Sequence, residues 1–105
     1  MLSFTEESAK QVQLLVMAPY VRVQYSALGG KERASLLVTV SVNGKDTWNH
    51  GILENSRYVK LHIGYEGVIE QISKSHMIPV KFRKCRAQSL TDVVQRIQRY
   101  VDTMI

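Results

Sequence analysis

Residues 77–105 read MIPVKFRKCRAQSLTDVVQRIQRYVDTMI, and this stretch decides the fold. Apolar and basic side chains alternate near its start: Ile78, Val80, Lys81, Phe82 and Arg83. A period of two places the apolar set on one face of a strand and the basic set on the other. The stretch therefore predicts a half-buried basic strand, which either ends at Arg83 or continues through a bulge near Cys85.

A helix is predicted to follow this strand. Ser89 and Asp92 have the spacing at which two side chains can bond the free amides of a helix start. Apolar residues then recur with a helical period: Leu90, Val93, Val94, Ile97, Val101 and Met104. Polar residues take the other side: Asp92, Gln95, Arg96, Gln98, Arg99 and Asp102. For Arg96 and Arg99, pairing within the helix is favoured over binding a ligand.

The earlier chain predicts one more helix and several strands. Ser3 and Glu6 form a second capping box, followed by an apolar helical face that ends before Pro19. Alternating side chains indicate strands over residues 20–26, 36–42 and 58–63. Asn43 and Gly44 predict a hairpin turn into a strand over residues 45–49.

Residues 66–75 fit two patterns, and the fold class does not depend on which is right. Val68, Ile69 and Ile72 fit one helical face, and Val68, Glu70 and Ile72 also fit strand alternation. We favour a short helix here. Residues 1–105 then form a single α+β domain, with an antiparallel or mixed sheet of four to five strands and the N-terminal and C-terminal helices packed on one face.

Composition agrees with one globular domain. The chain has 105 residues, 45% hydrophobic and 22% charged, which is enough to bury a core without staples. Cys85 is the only cysteine, so no intramolecular disulfide can form and a cytoplasmic location is expected. Glu6 and Glu7 precede the short apolar run near the start, and that pattern predicts neither a secretory signal nor a membrane anchor.

The opening stretch SFTEESAKQVQLLV resembles the start of the A-type iron–sulfur carrier proteins. Their cluster chemistry requires several cysteines, including a pair near the C-terminus, and this chain has only Cys85. We therefore assign the chain to no family, and the sequence predicts no cofactor.

Positive charge is concentrated in one part of the chain. No acidic residue occurs between Glu70 and Asp92, and five cations lie in that gap: Lys74, Lys81, Arg83, Lys84 and Arg86. Their number equals the formal net charge of +5. A sequence pI near 9.6 favours anionic partners, namely nucleic acid or an acidic protein surface, and no membrane partner is expected.

The strand pattern places many of these cations on the predicted open face of the sheet. We predict anion or nucleic-acid binding by Arg22, Lys60, His62, Lys81, Arg83, Lys84 and Arg86. We predict stacking or interface roles for Tyr20, Trp48 and Tyr58. Cations neutralise phosphates and flat rings stack on unpaired bases, so the combination is typical of a nucleic-acid platform. The plainer alternative is a solvated sheet face.

The sequence gives an enzyme little support. His50, His62 and His76 match no zinc spacing, so no metal site is predicted. Cys85 would be a nucleophile only if the fold brought His62 or His76 beside it, and a buried, inert cysteine is favoured. No phosphate-binding glycine motif and no acid–base pair of carboxylates is present.

A protein-binding module is the alternative function. Leu37 with Tyr20, Trp48 and Tyr58 would form an apolar centre within a polar rim. Such a module would act as an inhibitor or adaptor that docks on an acidic or nucleic-acid-binding surface of another protein. A second copy of the chain is a further candidate partner, which would make a homodimer.

Overall fold

The structure is a computed structural model, and it describes residues 1–42 and 57–104. Its elements follow in this order: α1 (Glu6–Leu15), β1 (Tyr20–Ser26), a 3-10 turn (Lys31–Arg33), β2 (Ser35–Ser41), β3 (Tyr58–Ile63), β4 (Val68–Lys74), β5 (Cys85–Arg86) and α2 (Leu90–Met104). The predicted Asn-Gly turn, the strand over residues 45–49 and the candidate interface residue Trp48 lie outside the described residues.

In the described ranges the strands form one antiparallel sheet in which each strand pairs with the next, in the order β1-β2-β3-β4-β5. Val38 in the middle of β2 lies opposite Val23 of β1 and Leu61 of β3. Side chains on paired positions share a face, so these three residues lie on the core side of the sheet. The predicted α+β fold, with a helix at each end of the chain, is confirmed.

The core is one cluster of apolar side chains in which the two helices meet the sheet. Val12 of α1 and Ile97 of α2 are fully buried, as are Val38 and Leu61. Burying a side chain of this size contributes roughly 1.5–3 kcal/mol before the entropy of ordering is subtracted. The alternating pattern of the strands and the apolar stripe of α2 therefore supply most of the core.

The helix starts follow the predicted chemistry, with a shift at α1. Its cap is Thr5 rather than Ser3: the Thr5 hydroxyl accepts from the Ser8 amide at 3.1 Å, and the Ser8 hydroxyl accepts from the Thr5 amide at 3.2 Å. At α2 the Ser89 hydroxyl accepts from the Asp92 amide at 3.1 Å, as its spacing predicts. Both caps satisfy amides that a helix leaves unbonded.

The preferred helix over residues 66–75 is wrong, because this segment is strand β4. A tight turn precedes it, with Gly67 at a φ of 88° and its amide bonded to the Gly64 carbonyl at 2.9 Å. The turn leads the chain straight back along β3, where the strand ladder satisfies the backbone of the segment. Ile69 is fully buried and Ile72 is 56% exposed, so they do not form one buried helical face.

The basic strand predicted near Ile78 forms only at its far end, where β5 has two residues. Ile78 and Phe82 are buried as the alternation predicts, but Val80 is 54% exposed. Pro79 has no amide to donate to a ladder, and the Phe82 amide donates to the Gln71 side chain at 2.9 Å instead of to a strand. Residues 79–84 therefore run beside β4 without pairing as a strand.

Neither helix of the described chain has the length and apolar content needed to cross a bilayer.

Candidate functional site

The strand registers collect five of the predicted binding residues on the sheet face opposite the core. Arg22 pairs with Thr39, which pairs with Lys60, so one row across three strands carries two cations. The neighbouring rows hold the remaining three: Tyr20, Tyr58 and His62. Adjacent strands lie roughly 4.8 Å apart, so the two cations of the first row stand about 10 Å apart.

The middle of this face is closed to a ligand. Thr39 is 4% exposed and Ser41 is fully buried, although both lie on the side away from the core. Tyr20, Tyr58 and Lys60 each have an interaction partner within the molecule already. An open stacking platform needs exposed rings, and of the rings that the structure describes on this face, Tyr20 and Tyr58 are half-buried.

The cations around β5 do not all join this face. The Lys84 Nζ lies 3.9 Å from a carboxylate oxygen of Glu70, and a guanidinium nitrogen of Arg86 lies 3.7 Å from one of Glu66. Both ion pairs are exposed, so they contribute little to the stability of the fold. Glu70 is also the register partner of His62, so acidic side chains stand between the two groups of cations.

Lys81 and Arg83 belong to a different surface. They precede β5 in the unpaired segment, so the prediction that they share a sheet face with Arg22, Lys60 and His62 is wrong. Alternation along the sequence places side chains on a sheet face only where a strand actually forms.

Lys81 and Arg83 instead line a groove of about 520 Å³ between this segment and α2, which we call the basic groove. One wall is the chain from Val80 to Cys85, and the other is the outer side of α2. Five cations line it: Lys81, Arg83, Lys84, Arg96 and Arg99. Segments far apart in sequence therefore join into a single positively charged surface.

Three contacts hold the unpaired wall in place. The Tyr100 hydroxyl donates to the Val80 carbonyl oxygen at 2.5 Å, and the Phe82 ring stands edge-on to the Tyr100 ring with centroids 5.2 Å apart. The Phe82 amide donates to the Gln71 side chain at 2.9 Å. Burial raises the pKa of Tyr100, so its hydroxyl stays protonated and remains a donor across the physiological range.

The two arginines of α2 differ in their partners. Arg96 donates to the Asp92 carboxylate at 3.0 Å, which together with the nearby Cys85 side chain raises the pKa of Arg96. Arg99 has no carboxylate within 4.0 Å in the part of the chain that the structure describes. Asp102 accepts from Gln98 at 3.0 Å instead. The predicted pairing within the helix is thus a close ion pair for Arg96, whereas Arg99 acts on Asp92 only over a longer distance, through a charge interaction that helps to lower the pKa of Asp92.

Cys85 is partly exposed on the wall of the basic groove rather than buried as the sequence favours. It pairs with Ile69, a core residue, whereas His62 is the partner of Glu70, one position along β4. Successive strand residues point to opposite faces, so the sheet lies between Cys85 and His62. No histidine of the described residues lines the groove, so it offers Cys85 no histidine base.

The sequence misses two residues of this site. Tyr100 stands off the predicted apolar stripe of α2, yet it is buried and anchors the opposite wall. The second is Arg99, for which the sequence favours pairing within the helix, although Gln98 lies four residues before Asp102 and competes for that carboxylate. That spacing was the available signal.

Comparisons with protein-family models, with curated protein sequences and with solved structures found no match to this chain.

Proposed function

We propose that the protein is a non-enzymatic nucleic-acid-binding protein whose phosphate contacts are made by the basic groove. One observation carries the proposal. Lys81, Arg83 and Arg99 line the groove together, and within residues 1–42 and 57–104 none of the three has a carboxylate partner. Cations that are not neutralised inside the protein can neutralise phosphates, which releases counterions from the nucleic acid.

The arrangement suits phosphate better than a single small anion. Arginine offers a planar fork that bonds two phosphate oxygens, and lysine offers a compact charge on a flexible stem. The segment wall carries both kinds, and the α2 wall carries two arginines: Lys81, Arg83 and Lys84 on the first, Arg96 and Arg99 on the second. Charges spread along two walls fit a chain of anions, whereas one anion would need them converged on a single point.

Salt dependence tests the proposal directly. Anisotropy of labelled oligonucleotides is measured from about 50 to about 200 mM salt, and the logarithm of the affinity is plotted against the logarithm of the salt concentration. Neutralising three phosphates of a single strand, one each at Lys81, Arg83 and Arg99, would give a slope of about −2. Each of Lys81→Ala, Arg83→Ala and Arg99→Ala should make the slope shallower by about 0.7 to 1.

Two matched control variants distinguish binding at the basic groove from a general effect of net charge. Lys10→Ala on α1 and Arg33→Ala in the 3-10 turn remove the same charges from exposed positions outside the groove. They should leave the slope unchanged. Absence of binding by the wild-type protein at low salt, or equal effects of the groove and control variants, would contradict the proposal.

A second candidate function, a protein-binding module, rests on a different surface. Three large apolar side chains at the end of α1 are exposed: Leu14 (83%), Leu15 (58%) and Met17 (75%). Clustered exposed apolar residues mark protein interfaces, including those of inhibitors, adaptors and homodimers.

The molar mass in solution tests the homodimer. The wild-type protein should have twice the mass of one chain, and Leu14→Ser should have the mass of the monomer. A wild-type monomer would leave only a heterologous partner for this surface.

A further inference from the structure

The basic groove has an apolar floor as well as a cationic rim. Val80, Phe82 and Tyr100 line it, and apolar atoms provide most of its accessible lining. Phe82 and Tyr100 are mostly buried, so the Val80 side chain, 54% exposed, is the apolar group that a ligand reaches. A surface that serves phosphates alone needs cations but no apolar floor, because the phosphate backbone is polar and charged.

The basic groove is short, shallow and widely open to solvent, with a volume of about 520 Å³. The helical wall from Arg96 to Thr103 rises roughly 10 Å at about 1.5 Å per residue. That length corresponds to about three stacked nucleotides at ~3.4 Å each. Proteins that read a duplex insert a convex helix or ribbon into it, whereas single strands are held in grooves.

Two backbone groups of the groove wall already have partners. The Val80 carbonyl accepts from Tyr100, and the Phe82 amide donates to Gln71. A peptide strand that paired with this wall through Val80 and Phe82 would find both groups engaged. A nucleotide chain has no amide ladder to satisfy, so the engaged backbone groups are no obstacle to it.

We propose that the ligand of the basic groove is single-stranded nucleic acid, with an unpaired base against Val80 and with phosphates on Lys81, Arg83 and Arg99. The inference rests on the proposed function and adds the class of nucleic acid. The guanidinium planes of the two arginines supply further flat surface, since an unpaired base stacks on a guanidinium as well as on an aromatic ring.

Four labelled or competing probes of equal length, about twelve units, test the inference. They are oligo(dT), an abasic oligonucleotide with the same phosphates, a blunt duplex, and an oligo-glutamate peptide. We expect oligo(dT) to bind tightest, and the abasic strand and the duplex to bind about fivefold or more weakly, because neither places a free base on the floor. Oligo-glutamate should compete poorly.

The outcomes separate this inference from the proposed function. Equal affinity for oligo(dT), the abasic strand and the duplex would overturn the base contact and leave phosphate binding intact. Effective competition by oligo-glutamate would make an acidic protein the partner. No binding to any oligonucleotide would overturn both proposals.

Two substitutions at exposed residues test the base contact independently. Val80→Ser removes the exposed apolar group and keeps the backbone carbonyl that Tyr100 bonds. It should weaken oligo(dT) binding by about fivefold and leave binding of the abasic strand unchanged. Leu28→Ser removes an apolar side chain that is 99% exposed and lies outside the groove, so it should alter neither affinity. Equal losses on oligo(dT) and the abasic strand would overturn the inference.

Discussion

Tyr100 and Val80 are joined by a hydrogen bond of 2.5 Å, in which the phenol donates to the backbone carbonyl. Tyr100 lies on α2, and Val80 lies in a segment that makes no strand pairing. The same tyrosine ring meets the Phe82 ring edge-on at 5.2 Å. One side chain of the helix therefore fixes both the polar and the aromatic contacts of the facing wall, and the basic groove depends on it.

Tyr100→Phe should lower the free energy of unfolding by about 1 kcal/mol. The substitution keeps the ring against Phe82 but leaves the Val80 carbonyl without its donor, and a single hydrogen bond contributes roughly 0.5–1.5 kcal/mol net. Urea denaturation measures the change. Tyr65→Phe is the control, since within residues 1–42 and 57–104 the Tyr65 hydroxyl makes no hydrogen bond, and it should stay within about 0.5 kcal/mol. Equal losses in both variants would contradict the role of Tyr100.

Gly67→Ala should destabilise the fold by more than about 2 kcal/mol. Gly67 has a φ of 88°, and a methyl group there would collide with the carbonyl oxygen of Ala87. The collision would also disturb the hydrogen bond from the Ala87 amide to the Gly67 carbonyl, 2.8 Å long.

Gly29→Ala is the matched control for this turn. Its added methyl group would meet Arg33 at 3.4 Å, ordinary packing distance, so the thermal midpoint should change little. A Gly67→Ala protein as stable as Gly29→Ala would show that the turn adapts to a side chain.

The parts of the fold that the sequence predicts correctly are decided by local periodicity. β3 alternates cleanly between buried and half-buried side chains, β1 alternates along its middle, and the apolar stripe of α2 is buried at Val93, Ile97 and Val101. Each of these patterns reports directly which side chains a helix or strand will bury. The start of α2 at Ser89 is predicted from side-chain spacing for the same reason, whereas the cap of α1 is Thr5 and not the predicted Ser3.

The parts that the sequence misses depend on contacts distant in the chain. The residues of β4 fit both a helical face and strand alternation, and only their pairing with β3 makes the segment a strand. The sequence of the next segment has a strand pattern, but in the structure its Phe82 amide bonds the Gln71 side chain and its Val80 carbonyl bonds the Tyr100 hydroxyl. Neither contact has a signature in the alternation of the segment itself.

The sequence predicts several residues of the candidate site but not which of them lie together. Lys81 and Arg83 were predicted as anion-binding, and the structure places them beside Arg99 instead of Arg22 and Lys60. Lys81 and Arg83 lie in a segment that forms no strand, so the alternation of their side chains does not place them on the sheet face. The contacts of this segment with Gln71 and Tyr100 hold it beside α2, and these contacts are distant in the sequence.

Stability should fall at acid pH through Asp92. The Gln88 amide and then the Arg96 guanidinium bond its carboxylate, and they hold the pKa of Asp92 below its ordinary value of 3.8. A carboxyl with a lowered folded pKa contributes stability that is fully present above the unfolded pKa and is lost as the pH falls through the folded pKa. The loss therefore begins as the pH drops below about 3.8.

Asp92→Asn measures this contribution. The difference in unfolding free energy between wild type and variant should be largest near neutral pH and should shrink as the pH falls below 3.8 and through the lowered folded pKa of Asp92. Urea denaturation at several pH values gives the curve. A difference that stays constant from neutral pH to pH 2 would show that Asp92 acts by packing rather than by charge.

Gln98 ties the end of α1 to α2, and its replacement should release that end. Its side-chain oxygen accepts from the Met17 amide at 2.6 Å, and its nitrogen donates to the Met17 carbonyl at 2.8 Å. Gln98→Ala removes both bonds, so we expect a loss of about 1–2 kcal/mol and faster hydrogen exchange at the Met17 amide. Gln95→Ala on the exposed side of α2 should change neither.

Gln98→Glu separates the two bonds. A glutamate keeps an acceptor for the Met17 amide, but its carboxylate cannot donate to the Met17 carbonyl and stands beside Asp102, which Gln98 contacts at 3.0 Å. Like charges at this spacing on a helix repel, so the glutamate variant should be no more stable than the alanine variant at neutral pH. It should recover as the pH falls and the carboxyl groups protonate. A glutamate variant as stable as wild type at neutral pH would mean that the Met17 amide bond alone holds the end of α1.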